Sequence, residues 1–284
     1  MSKIKKGDIV VRKTYGKDIL FVVKNIICTN KTKIAILQGL IERIEADSEL
    51  EDLEIVDKQT INDKMKQFRQ KIDSEIILTK GEKSKYKIGC ILSNSRNKEK
   101  IVTGKILHLD GDKKYSQKSY YYYKKLGLNA IVKNIPEYRQ PKLVYRLLTI
   151  HNPDILVITG HDGMIKKGRD YHNLYNYRNS KYFIETVKEA RRYDTEKNNH
   201  LVIFAGACQS YFEAIISAGA NFASSPARIL IDFLDPLVIA EKIAFTEGYK
   251  YITIDDIAQE LRDGKKGVSG IGANGKMIKK LIES

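Results

Sequence analysis

Paired or clustered cysteines are missing from this sequence. Its 284 residues hold three, Cys28, Cys90 and Cys208, far apart and with no CxxC spacing. That argues against a zinc ribbon and against a disulfide framework, and it fits a reducing, intracellular compartment. Long apolar runs are also missing. None approaches the ~20 residues that cross a bilayer as a helix, and the opening MSKIKKGDIV has no apolar stretch of the secretory type, so a cytoplasmic location is expected. A phosphate loop is lacking too. The glycine-rich GVSGIGANGK near the carboxyl end does not keep the GxxxxGK[ST] spacing, and no strand leads into it.

What the chain has in excess is positive charge, +15 net. Such an excess permits an acidic partner or simply a solvated lysine-rich surface. It is spread over the whole length, whereas a dedicated nucleic-acid module concentrates it. The apolar fraction, 42%, suffices for a real core, and the length allows one large domain and one small one.

Residues 1–58 read as a small β module. KKGDIVVRKTYGKDILFVVKNI alternates β-branched and polar residues around a turn at Tyr15-Gly16-Lys17-Asp18. A further strand is expected at Lys33–Leu40, and the acidic stretch from Glu42 to Asp57 reads as turn-rich. Short strands with tight turns suggest an SH3-like barrel, a fold that does not by itself decide function. Residues 59–100 read as a connector: a polar helix over Ile61–Leu78, with Met65, Phe68 and Ile72 at helical spacing, then an exposed basic loop over Lys80–Lys100.

From Ile101 to the end the text alternates strands and helices. Strands are expected at Lys105–Leu109, Ala130–Lys133, Asp154–Thr159, Leu201–Ala205 and Asn221–Ser224. Helices are expected between and after them, including Pro236–Glu247 and Ile254–Arg262. β-α alternation at this spacing predicts an α/β domain over 101–284, a mostly parallel sheet with helices on both faces. The four consecutive tyrosines, Tyr120–Tyr123, fall on a helix, where neighbouring positions point in different directions; they suit partial burial better than base stacking.

Two stretches share one form. DILVITGHDG and LVIFAGACQS are each an apolar strand ending in small residues, followed by His161 in the first and Cys208 in the second. Sites in open α/β sheets gather at the carboxyl ends of strands, so neighbouring strands would place His161 and Cys208 across one crevice. A helix amino terminus and a nearby imidazolium both favour a thiolate, and a Cys/His pair is the minimum apparatus for acyl transfer. Backbone N–H groups of Gly163 and Cys208 are candidates for an oxyanion hole. This chemistry calls for no metal or cofactor. A lone cysteine at a strand end is often just a small apolar residue, and the four other histidines lack a comparable partner.

The His-Gly and Ala-Cys blocks resemble those of the caspase, clostripain and gingipain group of cysteine peptidases. In caspases the histidine precedes the cysteine by about 50 residues; here the separation is 47. The details depart from caspases proper: Asp162 intervenes between His161 and Gly163, and Gln209-Ser210 follows the cysteine. Over nearly the full length, from KKGDIVVRKTYGKD through KILHLDGD and DILVITGHDG to FAGACQS and NFASSPARI, the sequence resembles the YabG-type sporulation peptidases. That resemblance implies a caspase-like fold and a His161/Cys208 dyad. It also implies cleavage after arginine, self-processing, and action on spore coat and cortex-associated proteins. The location it implies is the mother cell, with later association to the coat.

Arginine selection requires a carboxylate in the pocket that receives the side chain. Asp112 is the first choice and Asp110 the second, both at the end of the strand expected beside the histidine strand. The DGD sequence also suits a plain turn. Asp162 either orients His161 or faces solvent. Ser224, Ser225 and Arg228 are candidates to line the cleft, and Arg96, in the basic loop, is the candidate point of self-cleavage. The competing reading is a basic, non-enzymatic scaffold or nucleic-acid-binding protein with a flavodoxin-like domain.

Overall fold

The computed structural model describes residues 4–28, 32–92, 99–165 and 170–281. The chain opens with five antiparallel strands: β1 (Ile9–Arg12), β2 (Phe21–Cys28), β3 (Lys33–Gly39), β4 (Glu45–Glu49) and β5 (Leu53–Ile55). They pair in the order β4-β3-β2-β1-β5. The turn between β1 and β2 falls where the glycine stands: Gly16 and Lys17 both take positive φ, 66° and 59°, a conformation glycine adopts without strain. The acidic stretch behaves differently from the sequence reading, since it supplies two strands. In β4, Ala46 and Ser48 turn inward while Glu45, Asp47 and Glu49 alternate with them, so the period-2 pattern is present but written in small residues.

Helix α1 runs from Lys58 to Leu92. The expected loop over 80–100 is therefore helical as far as Leu92, because a lysine-rich stretch suits a solvated helix as well as a loop. Arg96 lies outside the described residues. Phe68, Ile72 and Ile76 of α1 are buried in the same cluster as the core of the larger domain, so the connector packs as part of it.

The remainder is β6 (Glu99–Val102), β7 (Ile106–Asp110), α2 (Lys113–Leu126), β8 (Ala130–Asn134), α3 (Gln140–His151), β9 (Ile155–Thr159), α4 (Ser180–Lys197), β10 (Val202–Ala205), α5 (Phe212–Ser217), β11 (Phe222–Ser224), α6 (Asp235–Phe245), β12 (Tyr251–Ile252), β13 (Val268–Gly270), β14 (Ala273–Asn274) and β15 (Ile278–Leu281). Six of these strands form the central sheet, in the order β13-β11-β10-β9-β7-β8. All neighbours pair in parallel except β13, which runs antiparallel to β11. The expected helix over Ile254–Arg262 is two short 3-10 turns instead. The glycine-rich stretch contributes β13 and β14.

Alternation along the strands sorts side chains to the two faces. Ile155 and Val157 of β9, with Val202 and Phe204 of β10, join one apolar cluster with α1, α2 and α6. Leu156, Ile158, Ile203 and Ala205 join the other, beneath α3, α4 and α5. Both faces being covered explains why these strands read as continuous apolar runs. In the tyrosine run, Tyr122 and Tyr123 are fully buried and Tyr120 and Tyr121 exposed. Among the described residues no helix is long and apolar enough to cross a membrane.

A buried arginine between a histidine and a cysteine

β9 and β10 are neighbours, register-matched from Ile155↔Val202 to Ile158↔Ala205. His161 and Cys208 therefore leave the same edge of the sheet from adjacent strands, and both are fully buried. β7, which ends in Asp110, pairs with β9 on its other side. Three strand ends thus meet at one place.

What fills that place is the hairpin loop between β3 and β4. Its Gly39 N–H donates to the Ile44 carbonyl (2.8 Å), and its Glu45 N–H donates to the Asp162 carbonyl (2.9 Å). The Arg43 carbonyl accepts two N–H donors at 3.3 Å each, from Asp162 and from Cys208. Ile44 makes a parallel bridge with Asp162. Gly163 permits this approach, since a Cβ there would stand 2.2 Å from the Glu45 carbonyl oxygen. The Gly163 N–H itself donates to its neighbour's carboxylate, Asp162 Oδ1 (2.9 Å). The second amide facing a carbonyl beside Cys208 is therefore that of Asp162, not the expected Gly163.

The Arg43 side chain is fully buried. Its Nη1 lies 2.8 Å from Asp110 Oδ2, and its guanidinium carbon sits 4.4 Å from the centre of the Tyr115 ring and 5.4 Å from that of Phe233. The contact with Asp110 is an ion pair; none of the three buried guanidinium nitrogens, Nε, Nη1 or Nη2, has a hydrogen-bond partner of good geometry among the described residues. Burial lowers the guanidinium's proton affinity, and Asp110, with Tyr115 and Asp112, more than restores it, so the group is held charged. Asp110 is anchored for this contact. Oδ1 accepts the Asp112 N–H (2.8 Å) and Oδ2 the Thr159 hydroxyl (3.0 Å).

Asp112, the first choice for this contact, serves another purpose. Its Oδ1 accepts the N–H groups of Lys114 (2.7 Å) and Tyr115 (3.3 Å) and so caps α2, as a carboxylate just before a helix does. Its Oδ2 accepts the Gln38 amide at 3.4 Å, and its charge also acts on the His161 imidazole. Of the two acidic candidates, Asp110 is the one paired with a buried guanidinium and Asp112 the one that caps α2.

The His161 ring lies edge-on to Tyr115, with ring centres 5.7 Å apart, and its Nδ1 is 2.8 Å from the side-chain nitrogen of Gln38. Its backbone N–H donates to Glu137 Oε1 (2.8 Å). Glu137 is seated between Gly111 and Gly160, at either of which a Cβ would collide with its carboxylate. Burial pushes the Glu137 carboxyl up to about 7. Burial, reinforced by the Arg43 charge and opposed by Asp112 and Asp110, brings the His161 imidazole down to about 4.

Cys208 does not open a helix: α5 begins at Phe212 and has six residues. Its Sγ accepts the Ile231 N–H (3.4 Å), and burial pushes the thiol up to about 12. The lowered thiol expected from a helix terminus is therefore absent in this state. No hydrogen bond joins the His161 ring to Cys208 among the described residues; the two flank the Gln38–Ile44 segment instead. Cys208 is a free thiol, as is the exposed Cys28.

Asp162 neither reaches the His161 ring nor faces solvent. It is fully buried and accepts from the Ser180 hydroxyl, the Ser210 hydroxyl (3.0 Å), and the N–H groups of Gly163 and Asn179 (2.9 and 2.8 Å). It ties the histidine loop to the cysteine loop, and burial pushes its carboxyl up to about 6. Ser224 and Ser225 are also fully buried. Ser225 Oγ accepts the Gln209 N–H (3.2 Å) and donates to the Ile229 carbonyl (2.7 Å), so it braces the cysteine loop from behind. Arg228 is committed to Glu213 and to the Tyr177 hydroxyl (2.7 Å). His108, within β7, is bound to Thr159 Oγ1 (2.7 Å) and to the Tyr123 hydroxyl (3.2 Å).

Beside the loop lies an open cavity of about 310 Å³, lined by Ile41, Glu42, Lys64, Phe68, Phe233 and Arg262 among others. Among the described residues no group of three or more His, Cys, Asp or Glu side chains could hold a metal ion. Arg43, Gln38, Tyr115 and Glu137 were not evident from sequence. One signal was available: Arg43 is the sole basic residue in the acidic stretch from Glu42 to Asp57.

Two comparisons with known proteins return a match. The profile of a family described as YabG peptidase U57 matches residues 5–281. The chain is 40% identical over 278 residues to the sporulation-specific protease YabG of Bacillus subtilis (strain 168), covering 95% of this chain and 94% of that protein. No solved structure matches it.

Proposed function

The chain belongs to the YabG peptidase U57 family, and from that premise we propose that it is a cysteine endopeptidase cleaving after arginine, with Cys208 as nucleophile and His161 as its base. The observation that carries this reading is the Arg43 carbonyl, which accepts the N–H groups of Cys208 and Asp162 at 3.3 Å each. Two convergent amides on one carbonyl, one of them from the nucleophile itself, form the arrangement that stabilises an oxyanion. In the reaction the Cys208 sulfur adds to the substrate carbonyl carbon. The thiol proton passes to His161 and on to the leaving amine, and water then releases the acyl group from sulfur.

Asp110 is the carboxylate that selects arginine, with the Tyr115 and Phe233 rings against the guanidinium. A planar cation between aromatic faces and opposite a fixed carboxylate suits arginine better than lysine. With the site filled, burial keeps Cys208 a thiol and His161 a neutral imidazole. Admission of water and substrate relieves that penalty and lets the pair ionise.

The caspase-like reading of the central sheet and the SH3-like reading of the N-terminal sheet belong to the same proposal, as do boundaries near residues 58 and 100. So does a role in sporulation, with spore coat and cortex-associated proteins as substrates in the mother cell and later association with the coat. The scaffold or nucleic-acid reading has no comparable observation in its favour.

The test is hydrolysis of short peptides bearing arginine, lysine or alanine before the bond to be cut. Turnover confined to arginine, absent from Cys208→Ala and His161→Ala, is the expected result. Undiminished turnover in the Cys208→Ala protein would remove the proposal.

A further inference from the structure

We propose that the Arg43–Ile44 bond is this chain's own substrate bond: Arg43 plugs the arginine pocket of the intact chain, and Cys208 of the same chain cuts after it. The inference rests on the cysteine-peptidase reading above and identifies the bond at which that site acts on itself.

Three independent features of Arg43 converge. Its guanidinium is paired with Asp110 at the pocket floor and lies against Tyr115 and Phe233. Its carbonyl sits between the amides of Cys208 and Asp162, and the residues after it continue along the histidine loop through the Glu45 N–H to the Asp162 carbonyl. That is how a peptide lies when the bond after its arginine is presented to the thiol. A guanidinium kept only for stability would be a poor choice here, since Nε, Nη1 and Nη2 are all buried without a hydrogen-bond partner among the described residues and a buried charge is retained at a cost in desolvation. A pocket built for arginine accounts for it.

The step balances without a redox partner. The Cys208 sulfur bonds to the Arg43 carbonyl carbon, and the thiol proton travels by way of His161 to the Ile44 nitrogen as the carbon–nitrogen bond breaks. Water then cleaves the thioester, leaving a carboxylate on Arg43 and restoring the thiol. The two pieces do not fall apart at once, because β3 and β4 remain paired from Ile34↔Glu49 to Gln38↔Glu45. What changes is that residues 40–43 are no longer tethered on both sides. The neighbouring cavity, lined by Ile41 and Glu42, gives them room to withdraw.

The experiment uses the full chain, purified at once under denaturing conditions and again after incubation, with intact mass and amino-terminal sequencing as readouts. The expected result is a new amino terminus at Ile44, absent from Cys208→Ala. Its rate of appearance should be independent of protein concentration over a ~50-fold range, as for an intramolecular event. Arg43→Gln and Arg43→Met keep bulk at the position; both should remain uncut here. Both should hydrolyse arginine peptides at least ~10-fold faster than uncut wild type, because the pocket is no longer self-occupied. Arginine-peptide turnover with no Ile44 terminus, and no gain in either variant, overturns this inference while leaving the peptidase reading intact. Absence of Cys208-dependent peptide turnover in every protein tested overturns the peptidase reading itself.

Discussion

Arg43 Nη1 and Asp110 Oδ2 lie 2.8 Å apart, and neither side chain reaches solvent. One comes from the hairpin of the N-terminal sheet and the other from the end of β7, so this ion pair joins the two parts of the chain at the candidate active site. A buried pair is weak evidence for stability, because desolvation offsets most of the attraction. It is better evidence for a pocket with a chosen occupant, and it makes Asp110 the residue to change first.

Asp110→Asn retains the volume of the side chain and removes its charge. Removing one partner of a buried ion pair costs roughly 3–5 kcal/mol, so kcat/KM for arginine peptides should fall about 100-fold or more. Asp112→Asn should leave arginine turnover within a few-fold and lower stability by about 1 kcal/mol or less, as loss of a cap charge does. Steady-state kinetics on both proteins, with thermal melts, checks the assignment; an Asp112 effect larger than the Asp110 effect would reverse it.

Burial of Cys208 beneath the Arg43 loop has a consequence for its chemistry. With the thiol pushed up to about 12, alkylation at neutral pH should be very slow in the uncut chain, since the thiolate is the reactive form. In Arg43→Gln the same thiol should react with iodoacetamide at least ~10-fold faster, by the greater share of open states. Mass spectrometry of Cys208 separates it from the exposed Cys28, which serves as the internal reference for reactivity.

His161 carries a pH signature of its own. Its imidazole is held near 4 in the folded chain, by burial first and by the Arg43 charge second, against an unfolded value near 6.5. A lowered folded value means that the unfolded chain binds the extra proton between those two pH values. The stability from keeping His161 neutral is therefore present above about pH 6.5 and is lost as pH falls toward 4. It amounts to about 3 kcal/mol at most. Urea melts of Cys208→Ala and of Cys208→Ala/His161→Gln across this range, both uncut, should show the double variant losing less stability on acidification. Equal losses would mean that His161 is open to solvent.

Much of this arrangement could be read in advance. The apolar strands Ile155–Thr159 and Val202–Ala205 were legible because both faces of the sheet are covered, which removes polar residues from them. The glycines after them marked the strand ends, and so His161 and Cys208 could be placed on one edge. β4 was not legible, because its inward residues are Ala46 and Ser48 rather than β-branched ones. The full length of α1 is not legible either, because a lysine-rich composition does not separate a helix from a loop. Nothing in the strand itself places Asp112 ahead of Asp110; their roles depend on which carboxylate turns to cap α2. Arg43 was hidden for the most general reason. Its burial is created by docking of a hairpin against strand ends distant in sequence, and the one local sign, a single basic residue in an acidic stretch, does not say what it would dock against.

Asp162 is predicted to matter for architecture before it matters for chemistry. Its carboxylate satisfies the Ser180 and Ser210 hydroxyls and the amides of Gly163 and Asn179. Asp162→Ala would leave several buried donors without acceptors, at ~1–3 kcal/mol each. The variant should melt well below wild type, or fail to accumulate in folded form. Asp162→Asn keeps the shape and one acceptor oxygen and should recover part of the loss. A pair of variants indistinguishable from wild type in melting would show that the carboxylate is not what joins the two loops.

Gly163 offers a test of where the chain beyond the cut bond runs. A Cβ there would stand 2.2 Å from the Glu45 carbonyl oxygen, closer than atoms can approach, and the clash is with backbone rather than with a side chain that could swing away. Gly163→Ala should therefore push out whatever lies in the place of Glu45. That is the second residue past the bond being cut, whether the peptide is the chain's own hairpin or a substrate. Self-cleavage after Arg43 should slow by about 10-fold or more, taking ~1.4 kcal/mol of lost fit as one decade in rate. Peptides extending two or more residues past arginine should lose as much, whereas substrates ending in a small leaving group directly after arginine should be spared. Equal losses on both kinds of substrate would place the clash in the catalytic centre itself and remove the inferred path for the leaving segment.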